Sequence, residues 1–195
     1  MNALARRLGV KAVVVPVAWF DLEVGLLANR YDAILGSWTP SESTPADIAA
    51  SEPYYDWGLL IAARANDPRI HGPADLAGLR VGHFDDPAVV RALTEMGAGL
   101  GAHLVSVSGS DGTELFERLR AGGIDALVFD SPGVRWRVAH DRAFRVVGEP
   151  LNRLGYHVAV RRPDTELLSR MNGGIRGLLA SEEMRAIRRK WEGGP

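Results

Sequence analysis

Asp130 carries the strongest demand for a chemical partner in this sequence, because it closes the apolar run Ile124-Asp125-Ala126-Leu127-Val128-Phe129. A carboxylate at the end of a buried strand needs a cation or a set of N–H donors to offset its lost hydration. The following Ser131-Pro132 also fits a helix start with Asp130 as its cap, so gripping an ammonium group and capping a helix both stay open. Asp32 and Asp125 stand in matching phrases, Tyr31-Asp32-Ala33-Ile34-Leu35 and the run above. Two carboxylates could share acid–base work, but the repetition is better read as one structural contact made twice. Gly97-Ala98-Gly99-Leu100-Gly101-Ala102 fits a relaxed dinucleotide fingerprint, which has to follow a strand and open a helix. Here it follows helical spacing and precedes the strand-like residues 103–107, so it reads as a helix stop. His71, His83, His103, His140 and His157 show no paired ligand spacing, and a chain without cysteine has neither a thiolate site nor a disulfide. No metal and no cofactor is expected.

These groups have to be held by elements that the residue pattern outlines. Residues 1–9 read as the end of an amphipathic helix stopped at Gly9, and residues 10–17 as a buried β-branched strand. Leu22, Leu26 and Leu27 have helical spacing with Asp21 near the start, and residues 31–35 form a strand running into Gly36-Ser37-Trp38-Thr39. The phrase returns later in the chain. Asp111 or Thr113 caps a helix carrying Leu115, Phe116 and Leu119, Gly122-Gly123 ends it, and the strand at 124–129 runs into Asp130-Ser131. Between the copies lie strands at 59–64 and 79–84, a helical turn at 73–76 and a helix at 87–96. A strand at 157–160 follows, then two amphipathic helices carrying Leu167, Leu168, Met171, Ile175, Leu178 and Leu179, and then Met184, Ile187 and Trp191. Such a repeat implies an α/β chain of two units with polar groups at the carboxyl ends of strands, where open α/β sheets bind ligands.

Composition narrows the partners. At 195 residues, 46% hydrophobic and 24% charged, the chain can bury a real core. Its net charge of -1 comes without a basic stripe, which argues against nucleic acid. The longest apolar runs, 12–17 and 58–63, fall far short of the about 20 residues of a spanning helix, so no membrane insertion is expected.

Several phrases, in this order, resemble the polar amino-acid type of periplasmic solute-binding protein, bacterial family 3. They are Leu4-Ala5-Arg6-Arg7-Leu8-Gly9, Tyr31-Asp32-Ala33-Ile34-Leu35, Ser51-Glu52-Pro53-Tyr54-Tyr55, Asp75-Leu76-Ala77-Gly78-Leu79-Arg80-Val81-Gly82, Asp125-Ala126-Leu127-Val128-Phe129-Asp130-Ser131-Pro132, Val147-Gly148-Glu149-Pro150-Leu151 and Lys190-Trp191. The resemblance implies the type II periplasmic-binding-protein fold. Two Rossmann-like lobes, 1–56 with 156–195 and 57–155, would be joined by two hinge crossovers near 54–58 and 151–156. It also implies that family chains start earlier, with a signal peptide and a first strand lying between the 10–17 and 31–35 strands. A fragment, or a partner that supplies this strand, is therefore expected.

The same resemblance places ligand contacts. Trp19 falls where the family packs an aromatic ring on the solute, Ser37 and Thr39 fall at the polar strand end, and Asp130 matches the carboxylate that grips an α-ammonium. Two departures accompany these matches. Thr44 stands where the family has the arginine that clamps an α-carboxylate, and Asp85-Asp86-Pro87-Ala88 replaces the small turn whose amides meet the same group. Asp86 caps its own helix and Pro87 lacks an amide donor. Both changes oppose an anionic ligand head. The expectation is a receptor of an ABC importer that binds an amino-acid-like, amine or neutral solute in an interlobe cleft and hands it to a membrane permease, without turnover. The alternatives are a periplasmic sensor input domain and an enzyme resembling cyclohexadienyl dehydratases.

Overall fold

The computed structural model describes residues 1–84, 89, 90, 93, 101–107 and 112–192. The chain divides into two compact units. Unit 1 comprises Met1–Asp56 and Leu154–Lys190, and unit 2 comprises Trp57–Arg153.

Unit 2 is built on a five-stranded sheet whose inner strands include the apolar runs 59–63 and 126–129. In chain order the strands of the molecule are β1 (Ile48–Ala50), β2 (Tyr55–Trp57), β3 (Leu59–Arg64), β4 (Arg80–Phe84), β5 (His103–Val107), β6 (Ala126–Asp130), β7 (Phe144–Val147), β8 (Leu154–Tyr156) and β9 (Ala159–Arg161). The sheet of unit 2 has the order β5-β4-β6-β3-β7. β3 is antiparallel to both β6 and β7, with Ile61 opposite Val128 on one side and Val147 on the other. β4 runs parallel to β5 and β6.

Side chains alternate across this sheet as the period of two requires. Leu59, Ile61 and Ala63 enter one core with Ala126, Val128, Val81 and Leu76, while Leu60, Ala62 and Leu127 enter a second with Leu115, Phe116 and Leu119. Both faces are covered, and a strand covered on both faces reads as a continuous apolar run. The helix Thr113–Arg120 supplies Leu115, Phe116 and Leu119, as expected. Its N-cap is Gly112 at φ 75 and not Thr113, while Asp111 lies outside the described residues. A side chain at 112 would meet the Phe129 ring at 2.8 Å, so the turn takes the one residue that fits both the conformation and the space.

Unit 1 is less regular. The helix Asn2–Leu8 ends at Gly9 in the left-handed conformation and packs Leu4 on Ile175 of the helix Thr165–Leu179. Gly174 permits the approach, since a Cβ there would lie 2.7 Å from Leu4 Cδ1. β9 pairs antiparallel with β1, putting Val158 and Val160 on one side and Ala159 with Leu26, Ile34, Trp38 and Ile48 on the other. The two strands β2 and β8, at which the chain leaves and re-enters the unit, pair with each other. Both terminal helices are present, Thr165–Leu179 and Glu182–Glu192.

Two expected strands of unit 1 do not form. Residues 10–17 are irregular, with Val13 at 78% and Val14 at 64% exposure, and residues 31–35 contribute a single bridge, Ile34 to Ala159. A strand is completed by hydrogen bonds to its neighbours, and among the described residues none lies alongside 10–17.

Candidate functional site

Each unit carries its own group of polar residues at a strand end. In unit 2, β6 delivers Asp130 directly into the helix Ser131–His140. Asp130 is the N-cap of that helix, with Oδ1 accepting the Gly133 amide at 2.6 Å and Pro132 in the first turn, so the capping geometry is realised. Gly133 lets the amide come this close, since a Cβ there would sit 2.4 Å from Phe129. Ser131 is buried and accepts the Gly58 amide at 3.2 Å, and its own amide donates to the Gly58 carbonyl, which ties the site to the start of β3. Phe84, the last residue of β4, packs edge-on against Phe129 with centroids 5.0 Å apart.

Burial pushes the Asp130 carboxyl up from the ordinary carboxylate range, and the Gly133 amide only partly offsets this. Among the described residues no cation pairs with it. Its neighbour in sequence is opposite in character. Asp125 is gripped by Arg80 at 3.0 Å, with Arg69 at 3.6 Å and Arg64 at 3.8 Å, and Arg80 above all, with Arg69, holds it below the usual range. Asp32 is exposed and lies 3.6 Å from Arg161, which pairs more closely with Asp164 at 2.8 Å, so the repeated aspartates are held differently. Asp85 and Asp86 lie outside the described residues.

In unit 1 the segment 34–39 is tied down along its length. The Tyr54 hydroxyl donates to the Gly36 carbonyl, the His157 amide donates to the Trp38 carbonyl at 2.9 Å, and Thr39 Oγ1 donates to the Gly155 carbonyl at 2.9 Å. Burial pushes the Tyr54 phenol up to about 12, which keeps it a donor. The Trp38 ring is buried, and its Nε1 donates to Glu23 at 3.0 Å. Ser37 between them is exposed. Trp19 begins a short 3₁₀ turn and is half exposed at 48%, beside the almost fully exposed Phe20. Thr44 closes a turn in which its Oγ1 accepts the Ser41 amide at 2.9 Å and its own amide donates to the Ser41 carbonyl. The Thr44 hydroxyl is thus used locally. His157 has a packing role, with Nδ1 2.6 Å from the Ser51 carbonyl.

Reading by sequence missed Tyr54 as a brace, although its phrase Ser51-Glu52-Pro53-Tyr54-Tyr55 was conspicuous. It also missed the buried carboxylate Asp67. That residue is bound by Arg69 at 2.7 Å and Arg64 at 3.3 Å, and it sits in a turn with no local signal of burial.

Comparison with known proteins matches residues 1–194 to the bacterial extracellular solute-binding proteins, family 3. The L-cystine-binding protein TcyJ of Escherichia coli K12 is 27% identical over 192 residues, covering 97% of this chain and 71% of that protein. The L-arginine-binding protein of Pseudomonas aeruginosa is 25% identical over 202 residues, covering 97% and 76%. The structure of holo ArgBP from T. maritima, 30% identical, superposes with a TM-score of 0.73 over 97% of this chain and 82% of that one. The fold is that of the type II periplasmic binding proteins.

Proposed function

We propose that this chain, which belongs to family 3 of the bacterial extracellular solute-binding proteins, is the receptor of an ABC importer for a small cationic, amine-bearing or neutral polar solute. It works outside the cytoplasm and passes the solute to a membrane permease. Among the described residues no helix is long and apolar enough to cross a membrane.

The observation that carries this reading is Asp130. A half-buried carboxylate whose only described hydrogen bond is to one backbone amide retains an oxygen for a ligand ammonium. Ser37, Trp19 and Thr39 are the groups that unit 1 would bring, the indole by stacking on an apolar stem or a cation. Thr44 in place of an arginine, and Asp85-Asp86-Pro87 in place of a small turn, with Pro87 lacking an amide donor, oppose the binding of an α-carboxylate. The relatives named for L-cystine and L-arginine support an amine-bearing ligand, while these departures shift the reading away from an ordinary α-amino acid.

Titration calorimetry with L-arginine, L-cystine and putrescine tests the reading. Putrescine is expected to bind, and Asp130→Asn to weaken it on the order of tenfold or more while keeping the helix cap. Micromolar binding of L-arginine or L-cystine without binding of putrescine would overturn the proposed solute class.

A further inference from the structure

The far end of unit 2 holds a second collection of charge. β3 pairs Leu59 with Asp130, and Arg64 lies five residues further along the same strand, so the two ends are about 17 Å apart at the usual rise per residue. At that far end a cavity of about 350 Å³ is lined by Arg64, Asn66, Arg120, Arg142 and Phe144, with Ala65 and Ala143 filling in the wall. Three arginines line this space, and no carboxylate is among its lining residues in the described part of the chain.

The arginines are held differently. Arg64 is the fixed member: its Nη1 donates to the Leu119 carbonyl at 2.8 Å and the Ile124 carbonyl at 2.9 Å, and its Nη2 donates to Asp67 at 3.3 Å. The Arg120 guanidinium lies over the buried Phe144 ring, 4.9 Å from its centroid, with Asp141 and Glu117 beside it. Arg142 is exposed and makes no ion pair among the described residues. The ion pairs of this end set Arg64, Arg69, Arg80 and Arg120 against Asp67, Asp125, Asp141 and Glu117. Arg142 and Arg145 stand outside those pairs, Arg145 donating only to the Asp67 and Ile70 carbonyls, so among the described residues these two guanidiniums are not neutralised by a carboxylate. Asn66 is exposed at the rim and adds neutral amide donors.

We propose that this cavity binds a phosphate-type oxyanion, either a free phosphorylated compound or an anionic lipid headgroup, at a site separate from Asp130. Planar guanidinium forks match the spacing of phosphate oxygens, and an arginine already fixed by main-chain carbonyls loses little freedom when the anion arrives. The aromatic wall under Arg120 excludes water from one side and strengthens the attraction.

The test uses the purified chain with inorganic pyrophosphate as probe in titration calorimetry at low salt, and co-sedimentation with vesicles of phosphatidylglycerol and phosphatidylcholine. Arg142→Ala is expected to weaken pyrophosphate binding on the order of tenfold. Asn66→Asp, which puts a carboxylate into the rim, is expected to abolish it, and Arg135→Ala on the exposed side of the Ser131–His140 helix to leave it unchanged. Thermal melts by circular dichroism confirm that each variant is folded. Pyrophosphate binding that depends on Arg142, without vesicle binding, assigns the site to a free compound, and vesicle binding with the same dependence assigns it to a headgroup. Absence of both, or binding indifferent to Arg142 and Asn66, overturns the site.

Discussion

β3 of unit 2 and residues 10–17 of unit 1 are similar as sequence and opposite as structure. Leu59-Leu60-Ile61-Ala62-Ala63-Arg64 and Val10-Lys11-Ala12-Val13-Val14-Val15-Pro16-Val17 are both short apolar runs that strand propensity favours. In β3 the residues from Leu59 to Ala63 are at most 2% exposed, whereas Val13, Val14 and Val15 stand at 78%, 64% and 47%. The difference is neighbours. β3 has β6 on one side and β7 on the other, which satisfy its backbone and bring two cores onto its two faces. Residues 10–17 have no described neighbour, and the valines alone do not order them. Propensity proposes a strand, but only a ladder on either side makes it one.

The contrast can be broken by mutation, starting where the effect is largest. Ile61→Ala, at the centre of β3 and fully buried, is expected to lower stability by about 2–5 kcal/mol in urea unfolding followed by circular dichroism, because it leaves a cavity in a packed core. A loss below about 1 kcal/mol would mean that the sheet of unit 2 is no better packed than the exposed run. Gly82→Ala comes next. Its Cβ would meet Ile124 Cδ1 at 2.4 Å and Leu115 Cδ2 at 3.0 Å, and overpacking of that kind costs about 1–3 kcal/mol in the same assay.

Asp125→Asn sharpens the comparison from the electrostatic side. Arg80 and Arg69 are about half exposed, which reduces the expected loss at neutral pH to about 1–2 kcal/mol. The sign with pH follows from the direction of the shift. Arg80 holds the folded-state carboxyl of Asp125 below its unfolded value, so its contribution is present above the ordinary carboxylate range and is lost as pH falls. Urea midpoints measured from pH 7 down to about pH 3 should therefore decline less steeply in the variant than in the parent. Equal slopes would show that Asp125 is not part of what holds β6 to β4.

The smallest effect is expected in the exposed run. Val14→Ala should change stability by less than about 0.5 kcal/mol, and the amides of residues 11–15 should exchange with deuterium orders of magnitude faster than those of β3. Protection of 11–15 comparable to β3 would show that the run is paired in solution.

Several parts of the site were legible in the sequence for reasons of local chemistry. Asp130 stands at the end of an apolar run and before Ser-Pro, so both its demand for a partner and its capping role followed from adjacent residues, and the structure realises the cap. Gly9 as a helix stop was legible because the left-handed conformation favours glycine whatever surrounds it. That Thr44 stands where an arginine would be expected came only from the family resemblance, and its bond to the Ser41 amide needed coordinates. Asp67 was illegible. It looks like any turn aspartate until Arg64 and Arg69 close around it.

Amino-acid order by itself determined where unit 2 has strands covered on both faces, where the terminal helices run and which polar groups end the strands. Each of those follows from periodicity, capping and turn chemistry within a few residues. Only the tertiary structure decided that residues 10–17 do not become a strand, that Asp125 is neutralised by Arg80 from 45 residues away while Asp130 keeps an unpaired charge among the described residues, and that three arginines surround one cavity. The ladder bonds and the Arg80–Asp125 pair join groups far apart in the chain, and a residue's neighbours in sequence carry no record of them.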